Sequence, residues 1–140
     1  MAITTAVCTS FKSDLLAGTH LAADTYKIAL YTNAATLGAG TTAYSATNEV
    51  ANGNGYTTGG ATLSGYQVVT DGTTVILDWT TDPTWPASTI TARGALIYNS
   101  SRSNKAVAAF DFGSDITSTA GTFTATLPAA TAAAGLVKLA

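Results

Sequence analysis

Chemistry in this chain would have to start from a histidine, a cysteine or a pair of carboxylates, and all three are scarce. His20 is the sole histidine and Cys8 the sole cysteine. A hydrolytic triad needs a base within reach of its nucleophile, and His20 stands in a polar connector, where a solvated loop imidazole is expected. A reactive thiolate needs an electropositive pocket. Nothing around Cys8 in the sequence suggests one, so Cys8 reads as a small buried hydrophobe. Paired carboxylates could serve glycoside hydrolysis; Asp78 and Asp111 lie in strand-like runs, and Asp115 follows Gly113 in a turn. Acids on antiparallel sheets more often pair across strands with a cation, here Arg93 or Lys105. A structural zinc site needs about four Cys or His ligands, twice what the chain holds. Calcium could use Asp111 and Asp115, but no twelve-residue Asp-rich loop surrounds them. Gly53, Gly55, Gly59 and Gly60 are not followed by the Lys and hydroxyl residue of a phosphate-binding loop. The sequence thus predicts no catalytic, cofactor-binding or metal-binding residues.

Binding is better provided for. Residues 32–65 are rich in Gly, Asn, Ala and Thr, and Tyr44 and Tyr56 sit among them. An amphipathic ring on a Gly-rich loop makes a low-entropy anchor for a partner. Tyr44, Tyr56 and also Trp85, a loop or edge residue between Pro83 and Pro86, are therefore the candidate protein-interface residues. The competing reading folds the two tyrosines back as lids on the core. A third lets Trp79, Trp85, Tyr44, Tyr56 and Tyr66 stack on carbohydrate from a β-sandwich face.

Composition narrows the partners. Charged residues make up 10% of the chain against 46% hydrophobic, so the surface is solvated mainly by hydroxyls. The six Lys and Arg are scattered singly through a chain of net charge -2, which leaves no basic stripe for nucleic acid. No run approaches the roughly 18 apolar residues of a membrane span, and Lys12 and Asp14 interrupt the place of a signal-peptide core. Low charge suits self-association. The unpaired Cys8 suits assembly in a reducing cytoplasm.

The elements that must carry these residues are mostly strands. At 140 residues the chain is the size of one domain, and residues 1–140 are read as a single β domain, with 1–22 a helical or extended N-terminal arm. Val7, Phe11, Leu15 and Leu16 have helical spacing, with Thr9 and Ser10 as candidate caps and Gly18 as a stop. From Tyr26 the period becomes two: Tyr26, Ile28 and Leu30 alternate with Lys27, Ala29 and Tyr31. The stretch 32–65 is either broken by short strands, for example around 61–63, or makes external contacts, and external contacts are favoured. Strands over 66–70 and 73–79 flank Asp71-Gly72, a hairpin signal. Strands over 89–98 and 105–112 are joined by a polar segment, 122–127 alternates again, and 136–140 closes the chain as a strand or bound tail. The fold class is all-β: an antiparallel β-sandwich or jelly-roll-like domain of seven to eight short strands with one short N-terminal helix.

Four segments, TYKIALYTNAA at 25–35, TAYSATNEVANGNGYT at 42–57 with Gly59 and Gly60, TARGALIYN at 91–99 and NKAVAAFDFG at 104–113, together make the chain resemble small virion-associated structural proteins of tailed bacteriophages. The resemblance runs over nearly the whole sequence. It implies a capsid decoration or cement protein on the outer head surface, assembled in the host cytoplasm. Its expected partners are the major capsid protein and other copies of itself, a trimer being natural at a threefold junction. Contacts are expected through residues 36–60, around Tyr44 and Tyr56, and through Trp85. A tail-associated fibre or adaptor component and a carbohydrate-binding module are the alternatives.

Overall fold

The structure is a computed structural model that describes residues 2–140. In chain order the elements are β1 (Ala6–Val7), α1 (Thr9–Leu16), β2 (Tyr26–Tyr31), β3 (Ala61–Thr62), β4 (Ser64–Asp71), β5 (Thr74–Thr81), β6 (Thr84–Asn99), β7 (Lys105–Thr124) and β8 (Val137–Leu139). They form two antiparallel sheets, of order β1-β7-β6-β2-β3 and β4-β5-β8. The fold is all-β and sandwich-like, with one short helix.

Strand β2 lies in the larger sheet between β6 and the short edge strand β3. It pairs with β6 along its whole length, from Tyr26 opposite Asn99 to Tyr31 opposite Gly94. Five of its six residues are buried, so both faces of the strand are covered and not only the face of Tyr26, Ile28 and Leu30. The sheets meet through an aromatic cluster: Tyr26 of the larger sheet lies 5.5 Å, centroid to centroid, from both Tyr66 and Trp79 of the smaller one. Tyr66 and Trp79 face each other across β4 and β5 and pack edge to face at 6.0 Å, an arrangement that ring quadrupoles favour.

Two expectations shift in detail. The β4–β5 turn sits one residue later than Asp71-Gly72, because Asp71 already pairs with Thr74. Gly72 takes the positive φ of 63° and fills the first central position, where a type II′ hairpin turn needs glycine. The strands read at 89–98 and 105–112 are parts of a much longer hairpin, and of the separate strand read at 122–127 only 122–124 is strand, as the far end of β7. Its middle, Gly113–Thr117, is exposed, so it lacks the apolar run by which a strand is recognised. Pro86, which has no N–H to donate, and Ala87, at φ 50°, fall where the β6–β7 register slips between Trp85 and Ser88. A bulge accommodates both. The buried Ser88 hydroxyl stitches that bulge, donating to the Trp85 or Gly121 carbonyl at 2.8 or 3.0 Å and lying 2.9 Å from the Ser118 hydroxyl.

Helix α1 follows Cys8 as its N-cap, without a side-chain capping bond, and not Thr9 or Ser10. Gly18 lies just beyond it at φ 79°. Two glycines separate conformational need from close approach. A Cβ on Gly60, at φ 81°, would overlap the Ile28 carbonyl of β2, whereas one on Gly18 would meet nothing within 4 Å. Gly18→Ala should therefore cost about 1 kcal/mol, the left-handed strain alone. Gly60→Ala should cost about 3 kcal/mol or more, since the β2–β3 edge must also move apart. Urea unfolding midpoints of the two variants check this ordering.

Candidate interaction surface

The long loop 32–60 is folded against the outer edge of β2. Beyond Ile28, which pairs with Ala61, β2 has no strand neighbour on that side, and the loop supplies the missing partners. The Leu30 N–H donates to the Tyr56 hydroxyl at 2.9 Å. The Leu30 carbonyl accepts from the Val50 N–H at 2.9 Å, and the Thr32 N–H donates to the Asn48 carbonyl at 3.0 Å. Tyr56 passes its own proton on to Glu49 Oε1 at 2.7 Å. The same oxygen accepts the Gly59 N–H at 2.7 Å, and Glu49 Oε2 accepts the Tyr44 hydroxyl at 2.7 Å. One carboxylate thus ties three points of the loop together with short, charge-assisted bonds. Tyr44 stacks on Tyr98 at 4.6 Å, and the Tyr98 hydroxyl donates to the Gly59 carbonyl at 2.6 Å. Burial, with the Glu49 charge acting the same way, pushes the Tyr98 phenol up to about 12. Burial and then Glu49 raise Tyr56 and Tyr44 further still, so these hydroxyls remain donors across any ordinary pH.

The three candidate interface residues are brought together, but as supports. Tyr56 is 2% exposed and Trp85 5%; their rings lie 6.0 Å apart, and Trp85 meets Phe123 at 5.9 Å. Tyr44 is half-buried. The rings fold inward as lids because each hydroxyl has an acceptor inside the loop, and Trp85 is a strand residue of β6, not a loop residue. Neither Tyr56 nor Trp85 is presented to a partner by the folded chain. Trp79 is likewise buried, and of the five rings considered for carbohydrate stacking only Tyr44 and Tyr66 are partly exposed. What the loop does present is a rim of exposed, uncharged small residues, among them Ala43, Ala46, Thr47, Ala51, Asn52 and Thr57. Glu49 is the functional residue that residue-type reasoning passed over. Its signal was a lone carboxylate in a charge-poor loop, five residues from one tyrosine and seven from another.

The other reactive groups are held in structural roles. Cys8 is fully buried, and burial pushes its thiol up to about 11. Asp111 accepts from Arg93 Nε at 3.3 Å, the cross-strand pairing anticipated for it, and Asp115 lies 4.0 Å from the same guanidinium. Asp78 accepts from Gln67 at 3.1 Å. Among the described residues, no three or more His, Cys, Asp or Glu side chains converge as metal ligands, and no helix is long and apolar enough to cross a membrane.

His20 departs from expectation: it is buried, not solvated. Its ring packs on Phe11 at 4.8 Å. Asn99, itself fully buried, donates to His20 Nδ1 at 3.0 Å and to Asp24 at 2.9 Å, while Arg102 clasps Asp24 through Nε at 2.8 Å and a terminal nitrogen at 2.9 Å. The connector 19–25 is thereby locked onto the end of β6. Because the Asn99 Nδ2 that faces the ring can only donate, the neutral ring carries its proton on Nε2, which has no hydrogen-bond partner and stands 3.9 Å from Asp14 Oδ2. Burial lowers the His20 pKa below its ordinary 6.5. Asp14 and Asp24 oppose that effect, and Lys105 and Arg102 reinforce it.

No protein-family model, curated protein or solved structure matches the chain.

Two outcomes follow from this geometry. Glu49→Ala should cost about 3 kcal/mol, with amide hydrogen exchange in 32–60 accelerating more than exchange in β6 and β7; equal acceleration everywhere would show that Glu49 is not specific to the loop. For His20 the folded pKa lies below the unfolded one, so its contribution is fully present above 6.5 and is lost as pH falls through the folded value. Stability should therefore drop between pH 7.5 and 5 by at most about 1.4 kcal/mol per pH unit, a range above the titration of free Asp. In His20→Gln that slope should flatten in urea titrations.

Proposed function

We propose that this chain is a structural virion protein of a tailed bacteriophage, a decoration or cement protein that binds the outer head shell and stabilises junctions between coat subunits. The observation that carries this reading is the loop 32–60. It is a long, Gly-rich segment fixed before any partner arrives by Glu49 bonding to Tyr44, Tyr56 and Gly59. A preordered loop spares the entropy that ordering costs on association. Its exposed Ala, Thr and Asn side chains carry no charge that must be desolvated at a contact. The contact surface in this reading is the outer rim of the loop, with Tyr44 at its edge and Tyr56 and Trp85 holding it from beneath. The resemblance of 42–57 and its neighbouring segments to virion-associated proteins points the same way, by analogy. Many copies, each burying a modest area across a junction, would resist subunit separation through multivalency without any strong single contact. A trimer matches a threefold junction.

The test is occupancy. Purified protein added to heads stripped of accessory proteins should bind saturably, and densitometry of the particles should give hundreds of copies, against roughly three to twelve for a component of a closed tail ring. Ala46→Glu with Ala51→Glu places two charges on the exposed rim and should lower head occupancy at least tenfold with an unchanged thermal midpoint. Undiminished occupancy would move the contact to another face. Failure to bind heads at all would remove the reading.

A further inference from the structure

Away from loop 32–60, the two layers of the fold part at one edge and leave a half-open cleft of about 270 Å³ between α1 and the smaller sheet. Phe11 and Leu15 of α1 form one wall, and Tyr66, Val68, Leu77 and Val137 of β4, β5 and β8 form the other. The aromatic cluster of Tyr26, Tyr66 and Trp79 closes the sheets together at one end. Towards the other end Val68 is 60% exposed and Leu139 54%, an amount of free apolar surface that asks for an occupant. The charged residues lining the cleft are both lysines, Lys12 and Lys138, in a chain of net charge -2. Lys138 directs its ammonium to the carbonyl of Ala132 at 2.9 Å. Lys12 is exposed and makes no ion pair among the described residues.

We propose that this cleft binds the alkyl chain of a single acyl carboxylate, with the carboxylate held at Lys12. Three features select that class. The walls are aliphatic and aromatic apart from the Tyr66 hydroxyl, so an alkyl chain matches them better than a peptide, whose N–H and C=O groups would find few side-chain partners there. The volume corresponds to roughly nine water-sized groups, the bulk of one unbranched chain of medium length. The mouth offers an unpaired cation and no carboxylate, which favours an anionic head over a neutral or cationic one. This assignment is independent of the virion reading and stands or falls without it.

The experiment titrates octanoate and decanoate, below their micelle thresholds, into the full chain and follows methyl chemical shifts. Saturable binding at one site is expected, with shifts concentrated at Leu15, Val68 and Leu77 and a roughly fourfold gain in affinity per added methylene. Lys12→Gln should weaken decanoate about fivefold and leave 1-decanol unchanged. Val68→Phe, at an exposed cleft position, should abolish binding of both while the far-ultraviolet circular dichroism stays the same. Non-saturable shifts, shifts centred elsewhere, or equal loss of decanoate and decanol in Lys12→Gln would overturn the assignment. So would light scattering that shows a dimer whose cleft methyls are already protected without decanoate, because the occupant would then be a second copy of the chain.

Discussion

The outer edge of β2 is the constraint on which the rest of this architecture depends. A strand whose backbone groups are unpaired on one side either recruits a neighbour or remains a site of uncontrolled pairing, and β3 covers only Lys27 and Ile28. The remaining stretch is closed by the loop backbone at Val50 and Asn48 and by one side chain, the Tyr56 hydroxyl, which takes the Leu30 N–H and hands its own proton to Glu49. The loop is mostly Gly, Ala, Thr and Asn, and burial of Ala35, Leu37, Val50 and Tyr56 offsets only part of the roughly 1–2 kcal/mol per residue that ordering costs, so a few strong polar points must add to it. Glu49 supplies them, and because its two oxygens hold residues 44, 56 and 59 at once, the loop closes as a unit. Closing the sheet and building the exposed rim are the same event.

That event also explains which parts of the molecule could be read from residue order. The alternation of Tyr26, Ile28 and Leu30, the glycine of the β4–β5 hairpin and the polar connector before Lys105 are local signals, and each element lies within a residue or two of where its pattern places it. Burial of amphipathic side chains is not local. Tyr56, Trp85 and His20 each carry a polar atom that solvent or the interior could satisfy equally well, and the choice is made by groups distant in the chain: Glu49 and Leu30 for Tyr56, the β7 residue Phe123 for Trp85, Asn99 for His20. The length of β6 and β7 escaped for a related reason. Their distal ribbon is bulged and polar on its exposed side, so pairing between the two strands, and no apolar stripe, defines it.

The carboxylates show the same economy throughout. Asp24 holds the 19–25 connector through Arg102 and Asn99, Asp14 meets Lys105 at 3.2 Å, and Asp82 accepts the Leu127 N–H at 3.0 Å. Asp71 accepts the Ala132 N–H at 2.7 Å, and Asp115 the Asn33 amide at 3.1 Å. With Glu49, Asp78 and Asp111 as described above, all eight acidic side chains of the chain are engaged inside the fold, mostly in fixing connectors and turns that have no apolar content of their own. Charge is here a substitute for core in the segments that cannot form one.

A surface whose charges are few and scattered, with a net charge of -2, projects little field into solvent. It gains no electrostatic steering toward a partner, since on-rates well above the ordinary range need clusters of one sign, and it feels little repulsion from neighbouring copies. Association through such a surface must come from shape and from contacts made at van der Waals distance. It should therefore depend weakly on salt and strongly on the loop already holding its bound form. High local copy number then compensates for slow, unsteered encounter, because a site surrounded by identical sites is refilled by proximity and needs no long-range attraction. In the decoration-protein reading proposed above, a sparsely charged surface of this kind suits packing in arrays over a search for a single dilute target.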